Sequence, residues 1–411
     1  MLEGNKIYNM DCLEGMKLLD DNSVDSIVTD PPYELGFMGK KWDSTGIAYN
    51  VELWKECLRV LKPGGHLLAF GGTRTYHRMA CAIEDAGFEI RDCIQWLYWS
   101  GFPKSHNISK AIDKKLGAER EVIGKGTAGK TALGQGSGWN KTYNPHEYDI
   151  TRDETEQAKQ WSGWGTALKP ANEPIVLARK TISEKTIAEN VMKWGTGGIN
   201  IDGCRIPTED SLDGGAYAKN GTPRDDGWGM QRGGAGEYVQ PTGRFPANVI
   251  LDEEAGRMLD EQTGTLKSGF MKAGHPYGQG DGQNVYGKLT GKTKSDTYGD
   301  SGGASRFFYC AKASKKERGE GNNHPTVKPV KLMEYLITLI TPPNGIVLDP
   351  FMGSGTTAIA CKQLGFDYIG FEKEKSYSKI IEGRVGEPPV TIEDKPSKKL
   401  KEDWLDDILA L

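Results

Sequence analysis

From Val24 to Thr29 apolar and polar residues mix in a strand-like run, and Asp30-Pro31-Pro32-Tyr33 ends it. Two consecutive prolines donate no backbone hydrogen bond and hold φ at about −65°, so a stiff turn must follow the strand. Upstream, Lys6 to Leu19 reads as a strand–helix unit with Asp11 and Cys12 at its turn. Downstream, Leu53, Trp54, Cys57, Leu58 and Leu61 recur at helical spacing and predict a helix over Tyr49–Leu61, stopped by Lys62-Pro63-Gly64-Gly65. His66–Phe70 then reads as a buried strand, Tyr76–Ala86 as a helix closed by Gly87, and Phe88–Trp99 as a further strand. Far along the chain, an apolar strand over Gly345–Leu348 runs into a glycine turn. A helix over Thr356–Leu364 follows, with Ala358, Ile359, Ala360 and Leu364 on its inner side, and then a strand, Asp367–Phe371, ending in Glu372. Strands that alternate with helices predict an α/β fold built on a mostly parallel, Rossmann-like sheet covered on both faces.

Between these ends the texture changes. About two-thirds of the 54 glycines lie between Ser105 and Glu320, mixed with Ser, Thr, Asn, Asp and aromatics. Gly124–Gly138 and Gly264–Gly303 are polar enough to predict long mobile loops. The expected organisation is a catalytic subdomain at 1–104 and a basic loop insertion at 105–160. An edge hairpin of the catalytic sheet at 161–180 follows, carried by the strand character of Ile175–Ala178. A recognition region fills 181–303, a second sheet subdomain 304–385, and an acidic tail with a short helix (Leu400, Trp404, Leu405, Ile408) 386–411.

The formal charge is −4, but it is unevenly spread. Lys104 to Lys141 holds eight basic and three acidic residues, and Ser305 to Lys331 seven and two. A cleft can therefore be positive although the whole chain is not, which keeps nucleic acid among the candidate partners. Seven cysteines include no C-x-x-C pair and six histidines show no ligand spacing, so neither a metal site nor a disulfide framework is expected. No apolar run of membrane-spanning length and no basic-then-apolar leader pattern occurs, which predicts a soluble, cytoplasmic protein.

The chemistry concentrates at two turns. Asp30-Pro31-Pro32-Tyr33, at the carboxyl end of a strand where α/β sheets handle ligands, offers an acceptor-only carboxylate, a proline carbonyl and an aromatic face. That set suits a planar group bearing an exocyclic –NH2. Asp349-Pro350-Phe351-Met352-Gly353-Ser354-Gly355-Thr356-Thr357 brings backbone close to a ligand at a helix start. Glu372 follows about twenty residues on, the spacing at which an acidic group meets a ribose hydroxyl. No pyrophosphate fingerprint and no G-K-[ST] phosphate loop is present, so an adenosyl ligand without phosphates is the better fit.

Together with His324-Pro325-Thr326-Val327-Lys328-Pro329, these motifs resemble the amino-group DNA methyltransferases of the circularly permuted β class. Asn172-Glu173-Pro174-Ile175 and Arg306-Phe307-Phe308-Tyr309-Cys310 extend the likeness. The resemblance implies S-adenosylmethionine as cofactor and double-stranded DNA as partner, with a cognate restriction endonuclease beside it and a monomer or homodimer as the working form. It assigns Asp30, Pro31, Pro32 and Tyr33 to catalysis on a flipped-out base. It assigns Asp11, Cys12, Asp30, Thr326, Lys328, Asp349, Phe351, Gly353, Ser354, Gly355, Thr356, Thr357 and Glu372 to the cofactor, with Thr326 and Lys328 at the methionine carboxylate. Lys40, Lys41, Lys104, Lys114 and Lys115 are the candidate DNA contacts. Asp at the head of the tetrapeptide favours adenine N6. Cytosine N4 and a catalytically inactive DNA-binding protein are the alternatives.

Overall fold

The computed structural model describes residues 2–36, 41–99, 101, 105–128, 146–210, 212, 240–267, 272, 300–311 and 327–391. The chain divides into two compact units, 1–92 with 176–200 and 318–411, and 93–175 with 201–317.

In the first unit, strands run side by side in the order Lys6–Tyr8, Asp367–Phe371, Ile346–Asp349, Val24–Thr29, Leu61–Phe70. Every one of these neighbouring pairs is parallel. The last part of the strand Asn172–Arg179 lies beside Leu61–Phe70. Val24–Thr29 is buried at every position, as expected of a parallel strand covered on both faces. Helices pack on it through apolar stripes. Val51–Val60 buries Leu53, Trp54, Cys57 and Val60 behind an Asn50 cap, and Val330–Ile340 buries most of its length. Trp54 is fully buried, and its indole N–H donates to the carbonyl of Ala48 at 3.0 Å.

Several expectations change here. The segment 161–180 is not a hairpin. It supplies one strand, Asn172–Arg179, buried from Pro174 to Arg179, and Lys180 exchanges backbone bonds with Gly64 and Gly65. Residues 181–200, expected to group with 201–303, belong to the first unit instead. The helix Ile187–Trp194 starts with a capping box of Thr186 and Glu189. Its buried Asn190 donates to the carbonyls of Pro63 and Thr196, both at 2.8 Å. Leu364 is exposed rather than inward.

The second unit holds parallel pairings of Val249–Asp252 with the end of Glu89–Leu97 and with Tyr309–Ala311. Val122–Ala128 and His146–Thr151 form an antiparallel pair, so the predicted loop at 124–138 begins as a strand. Arg120 braces this region from one guanidinium, bonding Asp113 at 2.6 Å and Asp153 at 2.7 Å. Ser305 to Ala311 also falls in this unit, so the segment expected as one sheet subdomain at 304–385 is divided between the two units. Most of 264–303 and the tail helix around Trp404 lie outside the described residues. Among the described residues no helix is long and apolar enough to cross a membrane.

Candidate active site

Chain order reverses between two neighbouring strands of the first unit. After Val24–Thr29 the next strand lies on one side, Leu61–Phe70; after Ile346–Asp349 the next lies on the other, Asp367–Phe371. Such a switch opens a crevice at the carboxyl ends of the strands, and both turns singled out in the sequence project from it. A side-chain bond ties them, since Thr29 Oγ1 donates to Asp349 Oδ1 at 2.6 Å. Asp349 Oδ2 accepts from Thr357 at 2.5 Å, and Oδ1 also takes the amide of Phe351 at 3.0 Å. Burial outweighs these donors and pushes the carboxyl up to about 6. Asp349 and Thr357 therefore hold the turn from within.

Gly353 and Gly355 adopt positive φ of 56° and 85°, which glycine takes without strain. A Cβ on Gly355 would lie 2.6 Å from Val385 Cγ2, so the turn admits no side chain there. Glu372 closes it from below, accepting the amide of Gly353 at 2.8 Å and that of Glu374 at 2.7 Å. Its carboxyl is pushed up to about 7, burial being the larger influence over those two donors. Arg384, which sequence reasoning missed, donates to Ser354 Oγ at 2.6 Å and Thr356 Oγ1 at 3.2 Å. No motif marks it, because it lies one helix beyond the last recognisable strand. Asp11 caps the helix Cys12–Met16 and pairs with Lys373 at 3.0 Å. Burial pushes the neighbouring Cys12 thiol up to about 12.

The other turn is propped from outside. Thr75 Oγ1 donates to the carbonyl of Tyr33 at 2.7 Å, and the amide of Glu34 donates to Asp43 at 3.0 Å. Glu34, itself at a positive φ of 56°, accepts the amide of Gly46 at 2.8 Å. Tyr33 borders a narrow crevice with Pro32, Tyr49, Gly72, Tyr76 and Met79. Lys328 reaches in at the head of the turn, 2.7 Å from Asp30 Oδ2 and 3.0 Å from the Tyr33 hydroxyl. Asp30 Oδ1 is buried and has no hydrogen-bond partner among the described residues.

The structure thus gathers Asp30, Tyr33, Lys328, Asp349, Ser354, Thr356 and Glu372 at the carboxyl ends of neighbouring strands, and Asp11 at the start of the adjoining helix. Thr326, Lys40 and Lys104 lie outside the described residues. Lys41 falls in the short turn Lys41–Ser44, while Lys114 and Lys115 stand exposed in the last turn of Ile108–Leu116, in the second unit.

A reversal in an open parallel sheet, with these two turns at its crevice, defines an α/β fold with a ligand site at the switch point. A family model described as DNA methylase matches residues 24–383, and the chain belongs to this N6/N4 DNA methylase family, whose methyl donor is S-adenosylmethionine. The chain is 22% identical to the Type II methyltransferase M.HindIII of Haemophilus influenzae, over 92% of this chain and 94% of that one. A local match to the Type II methyltransferase M2.LlaDCHI of Lactococcus lactis subsp. cremoris reaches 37% over 86 residues, 21% of this chain and 32% of that one. Among solved structures, the M1.HpyAVI–SAM complex aligns with 19% identity and a TM-score of 0.40, covering 93% of this chain and 99% of that one.

The residues present fit the cofactor. Glu372 offers a buried two-oxygen acceptor for a ribose diol, at the end of the strand beside the glycine turn. Gly353 and Gly355, at positive φ, bring backbone rather than side chains to the start of the helix Thr356–Leu364, an arrangement that suits close approach of a ligand chain.

Proposed function

We propose that this protein methylates the N6 amine of adenine in double-stranded DNA by direct transfer to a flipped-out base. The observation that carries amine transfer is Asp30, with Oδ2 occupied by Lys328 and Oδ1 buried without a hydrogen-bond partner among the described residues, and an aspartate at the head of the tetrapeptide is what favours adenine. Leaving a buried carboxylate oxygen without a donor is costly, about 1–3 kcal/mol or more, so the arrangement is suited to a donor that arrives with substrate. An exocyclic –NH2 supplies such a donor. By accepting from it, Asp30 Oδ1 and the carbonyl of Pro31 draw the nitrogen away from conjugation with the ring and aim its lone pair. This is electrostatic preorganisation and needs no covalent enzyme adduct. Bound beside them, S-adenosylmethionine supplies an electrophilic methyl group on sulfonium sulfur.

A base stacked in a duplex must leave the helix to reach these groups. Tyr33 provides a ring on which it can stack, worth about 1–3 kcal/mol per base. Glu372 holds the cofactor ribose, and Ser354 and Thr356 lie with Arg384 where the methionine end would run. The Type II designation of M.HindIII supports a place for this chain beside a cognate restriction endonuclease. Mass spectrometry of nuclease-digested product DNA tests the base assignment directly. N6-methyladenine is expected, and N4-methylcytosine alone would overturn it. Long-read sequencing of DNA from cells expressing the protein gives the modified motif in the same experiment.

A further inference from the structure

We propose that Lys328 is a positioning residue for the amine-accepting carboxylate: its ammonium locks Asp30 and Tyr33 into one unit. The inference rests on reading Asp30 as the acceptor of the amine. It departs from the contact with the methionine carboxylate that the family resemblance implies.

The geometry is specific. Lys328 precedes Pro329, which stands at the N-cap of the helix Val330–Ile340, and that helix is buried along most of its length. The backbone carrying the lysine is therefore fixed by the core. The side chain is itself only 7% exposed. Its Nζ donates to Asp30 Oδ2 at 2.7 Å and to the Tyr33 hydroxyl at 3.0 Å, and lies 4.8 Å from the centre of the Phe70 ring. A lysine held so far from water is not acting as a mobile surface charge. It directs donors to the two side chains of the tetrapeptide that would touch the base.

Three consequences follow. Fastening Oδ2 fixes the carboxylate rotation and so decides that Oδ1, which has no partner among the described residues, is the oxygen presented to the amine. The ammonium offsets the loss of solvation that Asp30 suffers when a base covers it, because a buried charge is tolerated when paired. Bonding the Tyr33 hydroxyl ties the stacking ring to the same point, so ring and carboxylate keep their spacing when a base enters. Lysine suits this task better than arginine: it is a compact point charge able to bond two acceptors that do not share a plane.

The test separates positioning of the amine site from cofactor binding. In Lys328→Met, which keeps the length of the side chain and removes its charge, kcat at saturating cofactor should fall by about 100-fold or more, the scale of losing one preorganised donor. The cofactor Kd, measured by calorimetry on the DNA-free protein, should stay within about threefold. Lys328→Ala should regain turnover when ethylammonium is added and not when ethanol is added, a response that a purely structural loss would not show. Tyr33→Phe retains the ion pair and should lose far less than Lys328→Met. Turnover kept at saturating cofactor with a Kd weakened tenfold would overturn the proposal in favour of the methionine carboxylate, and so would equal rescue by ethanol and ethylammonium. An enzyme found to methylate cytosine leaves the inference standing, since either amine needs the same acceptor. Full activity in Asp30→Ala would instead remove the reading beneath it.

Discussion

Two carboxylates, each at the end of a parallel strand, differ in their surroundings, and the roles proposed for them follow that difference. Asp30 meets an ammonium at Oδ2 and holds a buried Oδ1 that has no hydrogen-bond partner among the described residues, whereas Glu372 accepts backbone amides inside the fold. Asp30→Ala should therefore abolish turnover, by roughly 1,000-fold or more, while the cofactor Kd stays within a few-fold. Glu372→Ala should instead weaken the cofactor by tens of fold or more, as expected when a ribose-binding acceptor is removed. Calorimetry on both variants, with turnover alongside, decides the division of roles, and an equal loss of cofactor in both would refute it. Glu372 also carries a pH dependence. Its carboxyl is raised from 4.5 to about 7 by burial, so the folded protein keeps a proton that the unfolded chain has released. Its contribution to stability is present in full below pH 4.5 and is lost as pH rises through 7. In thermal melts of ligand-free protein, the difference between Glu372→Gln and wild type should shift in favour of the variant from pH 5 to pH 8, by on the order of 1–3 kcal/mol. Ribose hydroxyls donate to the ionised form, so cofactor affinity should fall below about pH 7, with proton release visible in buffers of different ionisation heat.

Elements were legible where one local pattern decided them. Thr356–Leu364 and Asp367–Phe371 begin and end where the sequence places them, because glycines punctuate the helix and a buried parallel strand is an apolar run. The two turns of the site were readable for the same reason. Their partners were not, since Lys328 meets Asp30 across 298 residues and Thr29 meets Asp349 across 320, and no local spacing encodes either pair. The helix Ile187–Trp194 was missed although Thr186-x-x-Glu189 is a capping-box pattern, because the glycine-rich composition around it dominated. Burial of its Asn190 was not foreseeable, as asparagine is usually exposed. That residue offers a sharp test of where the first unit ends. Asn190→Ala strands the carbonyl of Thr196 and the amide of Ser183, and leaves the carbonyl of Pro63 with the Thr196 hydroxyl as its donor. Stability should drop by about 2–4 kcal/mol, seen as a lower urea midpoint. A peripheral insertion would lose less than about 0.5 kcal/mol on the same change.

At the scale of the whole molecule, a net charge of −4 and a DNA substrate are compatible only if basic residues are grouped where phosphates lie. In the second unit, Lys114 and Lys115 stand exposed at the end of Ile108–Leu116, a helix anchored by the pairing of buried Asp113 with Arg120. The pair fixes the helix while leaving the lysines accessible to a phosphate backbone, which is how contacts that position without reading sequence are built. Reversing both to Glu should weaken binding to cognate and unrelated duplexes by the same factor. It should also lower the slope of log K against log salt by about 2, one for each phosphate no longer neutralised. Substitutions within 201–317 should act differently, changing which sequences are methylated while leaving that slope in place, because base contacts discriminate and phosphate contacts do not. Fluorescence anisotropy across a salt series, paired with sequencing of the methylated sites, reads both outcomes. A slope unmoved by the double reversal would place the phosphate contacts on other residues. A methylated motif unmoved by every change within 201–317 would take specificity away from that segment.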